Sequence, residues 1–200
     1  IIIDEKIWNF YEKFAKIQRQ NKSGKKEREI QQRLAAQGKT MKKLAMAFSG
    51  PSNSGKTTLI AKLAKAFIEQ GLKVVVLKHD PKDKASFDTA GKDSFKFYQT
   101  GASVIVQSPT RTTFFSHESL VIDECIALAG DFDIFLVEGL KHLPLPRISV
   151  FCDKLDESYF AYSQAIASYE KINTPNLKWL HLDDIQGICT YILANAKRCE

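Results

Sequence analysis

Cysteine is scarce. The 200 residues hold four, Cys125, Cys152, Cys189 and Cys199, with no CxxC pair among them. Their scatter makes neither a disulfide framework nor a zinc-ligand spacing, and points to a reducing compartment, the cytoplasm. No apolar run reaches about 18 residues, which excludes a membrane-spanning helix from the reading. Ten Gly and six Pro are too few for a collagen-like or low-complexity chain. Arginine is also sparse: Arg19, Arg28, Arg33, Arg111, Arg147 and Arg198 are all there are, and only Arg111 and Arg147 fall in the central region. That counts against a kinase, whose lid needs arginine.

What is present suits a globular protein. At 44% hydrophobic and 26% charged, the chain has material for one sizeable core. The net charge is +6, which taken whole suggests a nucleic-acid or membrane-surface partner. Its distribution removes that suggestion. Residues 1–40 carry ten Lys and Arg against five Asp and Glu, a net of +5, so residues 41–200 carry only +1. The first segment opens on Ile1 and is not read as a translation start or a secretory signal. Ile3, Ile7, Phe10, Phe14 and Ile17 form one helical stripe, a basic break follows at 21–26, and a second helical stretch poor in apolar residues covers 27–37. We expect residues 1–40 to be a basic helical appendage or linker, the alternative being a functional basic arm. Residues 41–200 are expected to form a separate domain.

From Met41 the pattern alternates. A strand over 43–48 runs into Gly50-Pro51-Ser52-Asn53-Ser54-Gly55-Lys56-Thr57-Thr58, then a helix over 59–70 closed by Gly71. A β-branched run over 74–77 reads as a buried parallel strand. A polar loop over 80–92 precedes a short helix over 93–100 closed by Gly101. Strands are expected over 103–107, 112–115, 133–137, 148–151 and 165–167, and helices over 119–129 and 184–197; residues 152–165 are ambiguous. This order predicts an α/β fold, a P-loop NTPase-like three-layer arrangement with a mostly parallel sheet, preceded by the helical appendage.

Gly50-x4-Gly55-Lys56-Thr57 satisfies the phosphate-loop pattern with strand and helix on the required sides. Glycines let successive backbone N–H groups point inward as an anion nest, and the helix beginning near Lys56 adds the partial positive charge of its N-terminus. Lys56 is placed to reach the β- and γ-phosphates, and the Thr57 hydroxyl to ligate Mg2+. An apolar strand ends in Glu138-Gly139. Glu138 is a candidate to hold the metal or orient water, against the alternative of a strand-end acid satisfied by solvent. Gly139 would let backbone approach phosphate. After the second strand come Lys78-His79-Asp80 and the block 87–94. There Asp88 is a candidate for metal-water or substrate contact and Lys92 for phosphate, while Asp93 and Ser94 suit a helix start as well.

The loop at 50–58, together with Leu77-Lys-His79, the block 88–94, Thr100-Gly-Ala102, Arg111 and Leu136-Val-Glu-Gly-Leu-Lys-His142, resembles the MobB family of molybdenum-cofactor biosynthesis over 41–151. Residues 1–40 lie outside the resemblance, and Met41 falls where such a protein is expected to begin. The resemblance implies a homodimeric P-loop protein that binds GTP with Mg2+ and hydrolyses it slowly at best. Such a protein works beside the guanylyltransferase that joins GMP to molybdopterin. It implies that residues 50–58 hold the phosphates, that Thr57, Asp88 and Glu138 lie at the metal, and that Asp88 and Glu138 serve the attacking water. It places Lys92, Arg111 and Lys141 near the nucleotide or an anionic pterin. Cys152 stands where a basic residue is expected, and Tyr169-Glu170 replaces a clear guanine-reading signature; no Asn-Lys-x-Asp run occurs. Competing readings are a small-molecule kinase on the same scaffold and a non-catalytic nucleotide-binding scaffold. Neither a membrane nor a nucleic acid is expected as partner.

Overall fold

The computed structural model describes residues 43–86 and 88–199. The appendage expected over 1–40 lies outside the described residues, and residues 43–200 form a unit of their own.

Strand β1 (Leu44–Ser49) is buried along its whole length, as its unbroken apolar run requires of a central parallel strand. The chain continues through the phosphate loop into helix α1 (Lys56–Glu69), strand β2 (Val74–Lys78), helix α2 (Asp93–Gln99), strands β3 (Val104–Gln107) and β4 (Thr112–Phe115), and helix α3 (Ile122–Ala129). Strand β5 (Ile134–Glu138), strand β6 (Arg147–Phe151), a 3-10 turn (Glu157–Tyr162), strands β7 (Ala165–Ser168) and β8 (Lys178–His181), helix α4 (Ile185–Asn195) and the two-residue strand β9 (Lys197–Arg198) complete it. The main sheet runs β2-β5-β1-β6-β7-β8 with every neighbouring pair parallel; β9 pairs antiparallel with the start of β1.

Alternation along the strands sends side chains to two faces. On one, Met46, Phe48, Leu136, Ile148 and Val150 pack with Leu59, Leu63 and Phe67 of α1 and Ile188 and Ile192 of α4. On the other, Ala45, Ala47, Phe135 and Val137 pack under Phe132 and, from α3, Ile122, Cys125 and Ile126. This is a helix–sheet–helix sandwich, the α/β P-loop architecture. Among the described residues no helix is long and apolar enough to cross a membrane.

Five features differ from the sequence reading. The helix expected over 184–197 ends at Asn195, because Lys197 and Arg198 turn back to pair with β1 as β9. The run over 74–77 is not a fully buried strand: β2 is the outer strand, and Val76 is 45% exposed. Strands β3 and β4 leave the main sheet and pair with each other as an antiparallel hairpin, because only the four residues 108–111 separate them. Helix α3 starts at Ile122, three residues late, where Glu124 Oε2 accepts the Val121 N–H at 2.9 Å. Strand β8 was not read at all, since Lys178 and His181 flank only Trp179 and Leu180 and leave no apolar run.

Candidate functional site

The phosphate loop owes its shape to three backbone positions. Gly50, Asn53 and Gly55 have φ of +137°, +63° and +85°. A Cβ at Gly50 would run into the Val150 carbonyl oxygen, and one at Gly55 into Cys152 Sγ. Only glycine meets both demands, so neighbouring N–H groups can line a concave anion seat. The first turn of α1 carries no acid, which leaves its N-terminal partial charge for a ligand. Behind the loop, Ser49 Oγ lies 2.7 Å from Ser149 Oγ, and Ser149 Oγ lies 2.6 Å from Ser163 Oγ, so a buried hydroxyl chain ties β1 to β6 and the 3-10 turn.

Register then delivers the acid. Phe48 and Lys78 both pair with Glu138, which sets Glu138 level with the end of β1, just before the loop. Thr57 Oγ1 donates to Glu138 at 3.1 Å and 3.2 Å to its two oxygens. Lys78 Nζ lies 3.4 Å from Glu138 Oε1. Lys56 Nζ folds back on its own loop, donating to the Pro51 carbonyl at 2.6 Å, the Gly50 carbonyl at 3.0 Å and Ser54 Oγ at 3.4 Å. Burial holds the Lys56 ammonium below the ordinary lysine range; Glu138 opposes that shift, while Lys78 and Lys141 add to it. Lys56 therefore lies within electrostatic reach of Lys78 and Lys141 as well as Glu138, a local surplus of positive charge suited to a polyphosphate.

A divalent cation fits here with help. Among the described residues no group of three or more His, Cys, Asp or Glu can hold a metal alone. Thr57 and Glu138 supply hard oxygens on one side only, as Mg2+ requires when phosphate oxygens and water fill the rest of its octahedron.

The remaining sequence-derived candidates are placed less uniformly. Ser52, Asn53 and Thr58 are exposed on the loop and the first turn, and Ser54 is buried. Asp88 Oδ1 accepts from the Thr89 N–H at 2.8 Å and Ser94 Oγ at 3.2 Å; its Oδ2 is buried without a partner among the described residues. Its side-chain bonds are within 88–94, not to Thr57 or Glu138. Lys92 immediately precedes α2 and is bonded through its backbone, to Thr89 and Lys96. Arg111 closes the β3–β4 turn, its backbone bonded to Ser108. The Gly139 N–H donates to the Phe48 carbonyl at 3.0 Å, and its Cα faces His79, so this glycine serves the turn after β5. Lys141 Nζ sits 3.9 Å from the centroid of the Tyr159 ring. Sequence reasoning missed Lys78 as a partner of Glu138, and missed the serine chain. Both depend on cross-strand register, and no local motif announces them. Beside the loop, residues 51–54 and 152–157 line a cleft of about 560 Å³.

Comparison with known proteins identifies the family. The family described as "Molybdopterin guanine dinucleotide synthesis protein B" (MobB) matches residues 45–169. The chain belongs to the MobB family. It is 31% identical over 168 residues to the molybdopterin-guanine dinucleotide biosynthesis adapter protein of Escherichia coli (strain K12), covering 78% of this chain and 94% of that one. A crystal structure of molybdopterin-guanine biosynthesis protein B is similar at TM-score 0.59 and 28% identity, over 76% of this chain and 97% of its own. Bacillus subtilis MobB is similar at TM-score 0.64 and 26% identity, over 77% and 98%. The MobB match runs from β1 through β7, so it contains the phosphate loop, Asp88, Lys92, Arg111, Glu138 and Lys141, while β8, α4 and β9 lie beyond it.

Proposed function

We propose that this MobB-family chain is a GTP-binding adapter of molybdenum-cofactor biosynthesis. It takes GTP with Mg2+ and works, as a cytoplasmic homodimer, beside the guanylyltransferase that attaches GMP to molybdopterin. The observation that carries the reading is the Thr57–Glu138 contact at the mouth of the phosphate loop. A helix hydroxyl and a strand-end carboxylate meet beside the phosphate loop, and together they would hold Mg2+ there. When bound, Mg2+ would supply neutralising charge to the phosphates. Lys56 would exchange its carbonyl partners for phosphate oxygens, and Glu138 with Thr57 would hold the metal or its water. Asp88, with one buried oxygen unpartnered, would serve the metal's water or the attacking water. Lys92, Arg111 and Lys141 add positive charge towards the nucleotide or an anionic pterin.

Calorimetric titration with GTP and with ATP, each with Mg2+, tests the proposal. Tighter GTP binding is expected. A clear ATP preference, or phosphate transfer to a metabolite, contradicts it.

A further inference from the structure

Arg147 begins β6, and its side chain is among the most deeply buried of the described residues, at 1% exposure. Nη1 donates to the Gly139 carbonyl at 3.0 Å and Nη2 to the Leu140 carbonyl at 2.9 Å. Its backbone N–H donates to the Gln164 side-chain oxygen. None of the side-chain bonds goes to a carboxylate, and burial pulls the guanidinium below its ordinary range. Burying an uncompensated cation is unfavourable, so a purely structural position would more readily hold an apolar side chain.

What the fork grips explains its presence. Gly139 and Leu140 both lie in the left-handed region, at φ +95° and +49°. Such a turn is strained for leucine and needs external bonds to persist. Glu138 lies immediately before it and Lys141 immediately after. The first touches Thr57, and the second sits over Tyr159 while acting on Lys56.

We infer that Arg147 is the positioning residue of the phosphate site: its two bonds lock the Gly139–Leu140 turn and thereby hold Glu138 against Thr57 and Lys141 beside the loop. Arginine suits the task because its rigid planar fork fixes the directions of both bonds, whereas a lysine ammonium is a point donor on a flexible stem. The inference rests on the proposed Mg2+–GTP reading only where its effect is measured through Mg2+.

Arg147→Lys and Arg147→Met test it, each first shown to be folded by circular dichroism. Hydrogen exchange without nucleotide reads the turn directly. The Gly139 amide, bonded to Phe48, should exchange about tenfold faster or more in Arg147→Met and by a smaller factor in Arg147→Lys, the loss expected of one or two hydrogen bonds to a charged donor. The Ile188 amide in α4 should be unchanged. In GTP titrations, the tightening produced by Mg2+ should shrink about tenfold in Arg147→Met. Unchanged Gly139 exchange in both variants overturns the inference, as does an equal loss of affinity with and without Mg2+. A wild-type protein whose GTP affinity ignores Mg2+ contradicts the metal reading alone; Gly139 exchange then still decides the role of Arg147.

Discussion

Lys56 shows how a single residue carries both chemistry and its own restraint. Its ammonium satisfies itself on the Gly50 and Pro51 carbonyls and Ser54 Oγ, all within the loop it serves. A phosphate chain offers charged acceptors in place of neutral ones, so the exchange favours the ligand. Lys56→Ala should weaken nucleotide binding by about 100-fold or more, from the loss of one or two charge-assisted bonds. Fluorescence titration with a labelled nucleotide checks this, and wild-type affinity in the variant would contradict the site. At this scale the loop was fully legible, because Gly50, Gly55, Lys56 and Thr57 are local in sequence and each type has one physical reason to be there. Lys78 was not. Its partnership with Glu138 exists only because β2 and β5 align Lys78 with Glu138. Arg147 was noticed for its rarity, yet its grip on Gly139 and Leu140 needed the chain to turn back on itself.

At the scale of elements, capping decides where helices begin. Asp184 accepts from the Gly187 N–H at 2.8 Å and starts α4. A Cβ at Gly187 would meet the Asp184 carboxylate, so a larger residue there would push the cap aside. Asp184→Ala should cost about 1 kcal/mol of stability, the usual worth of such a cap. Chemical denaturation reads the change, and no shift in midpoint would show that α4 is capped otherwise. The long apolar strands β1 and β5 were legible because burial on both faces leaves a continuous run. The hairpin pairing of β3 with β4 was missed, because it is set by the short connection at 108–111 and not by strand composition. The short β8 lacked a signal, its single tryptophan being tied by Nε1 to Ser168 Oγ at 3.0 Å.

For the whole molecule, charge and titration are separate matters. The +6 net charge is concentrated in residues 1–40, whereas Lys78 and Lys141 are the lysines that act on Lys56 in the phosphate loop. Titration turns instead on buried neutral groups. Burial pushes the Cys189 thiol from an ordinary value of 9.0 up to about 11, and raises Cys125, Cys199 and Tyr191 as well. Each group's native pKa is raised, so the unfolded chain releases its proton first as pH rises. Stability is fully present below about pH 9 and should fall between about pH 9 and 11. Denaturation midpoints across that range check the slope, and Cys189→Ala should flatten it; a steeper or unchanged slope in the variant would contradict the assignment.

The central claim is that Thr57 and Glu138 hold Mg2+ against a nucleotide seated in the phosphate loop. The most direct measurement is GTP affinity with and without Mg2+ for the wild type and Glu138→Gln. The variant keeps the shape of the side chain and removes its charge. The wild type should bind about tenfold tighter or more with Mg2+, and the variant should lose most of that gain while binding GTP without Mg2+ as before. Equal Mg2+ enhancement in the two proteins would contradict the claim.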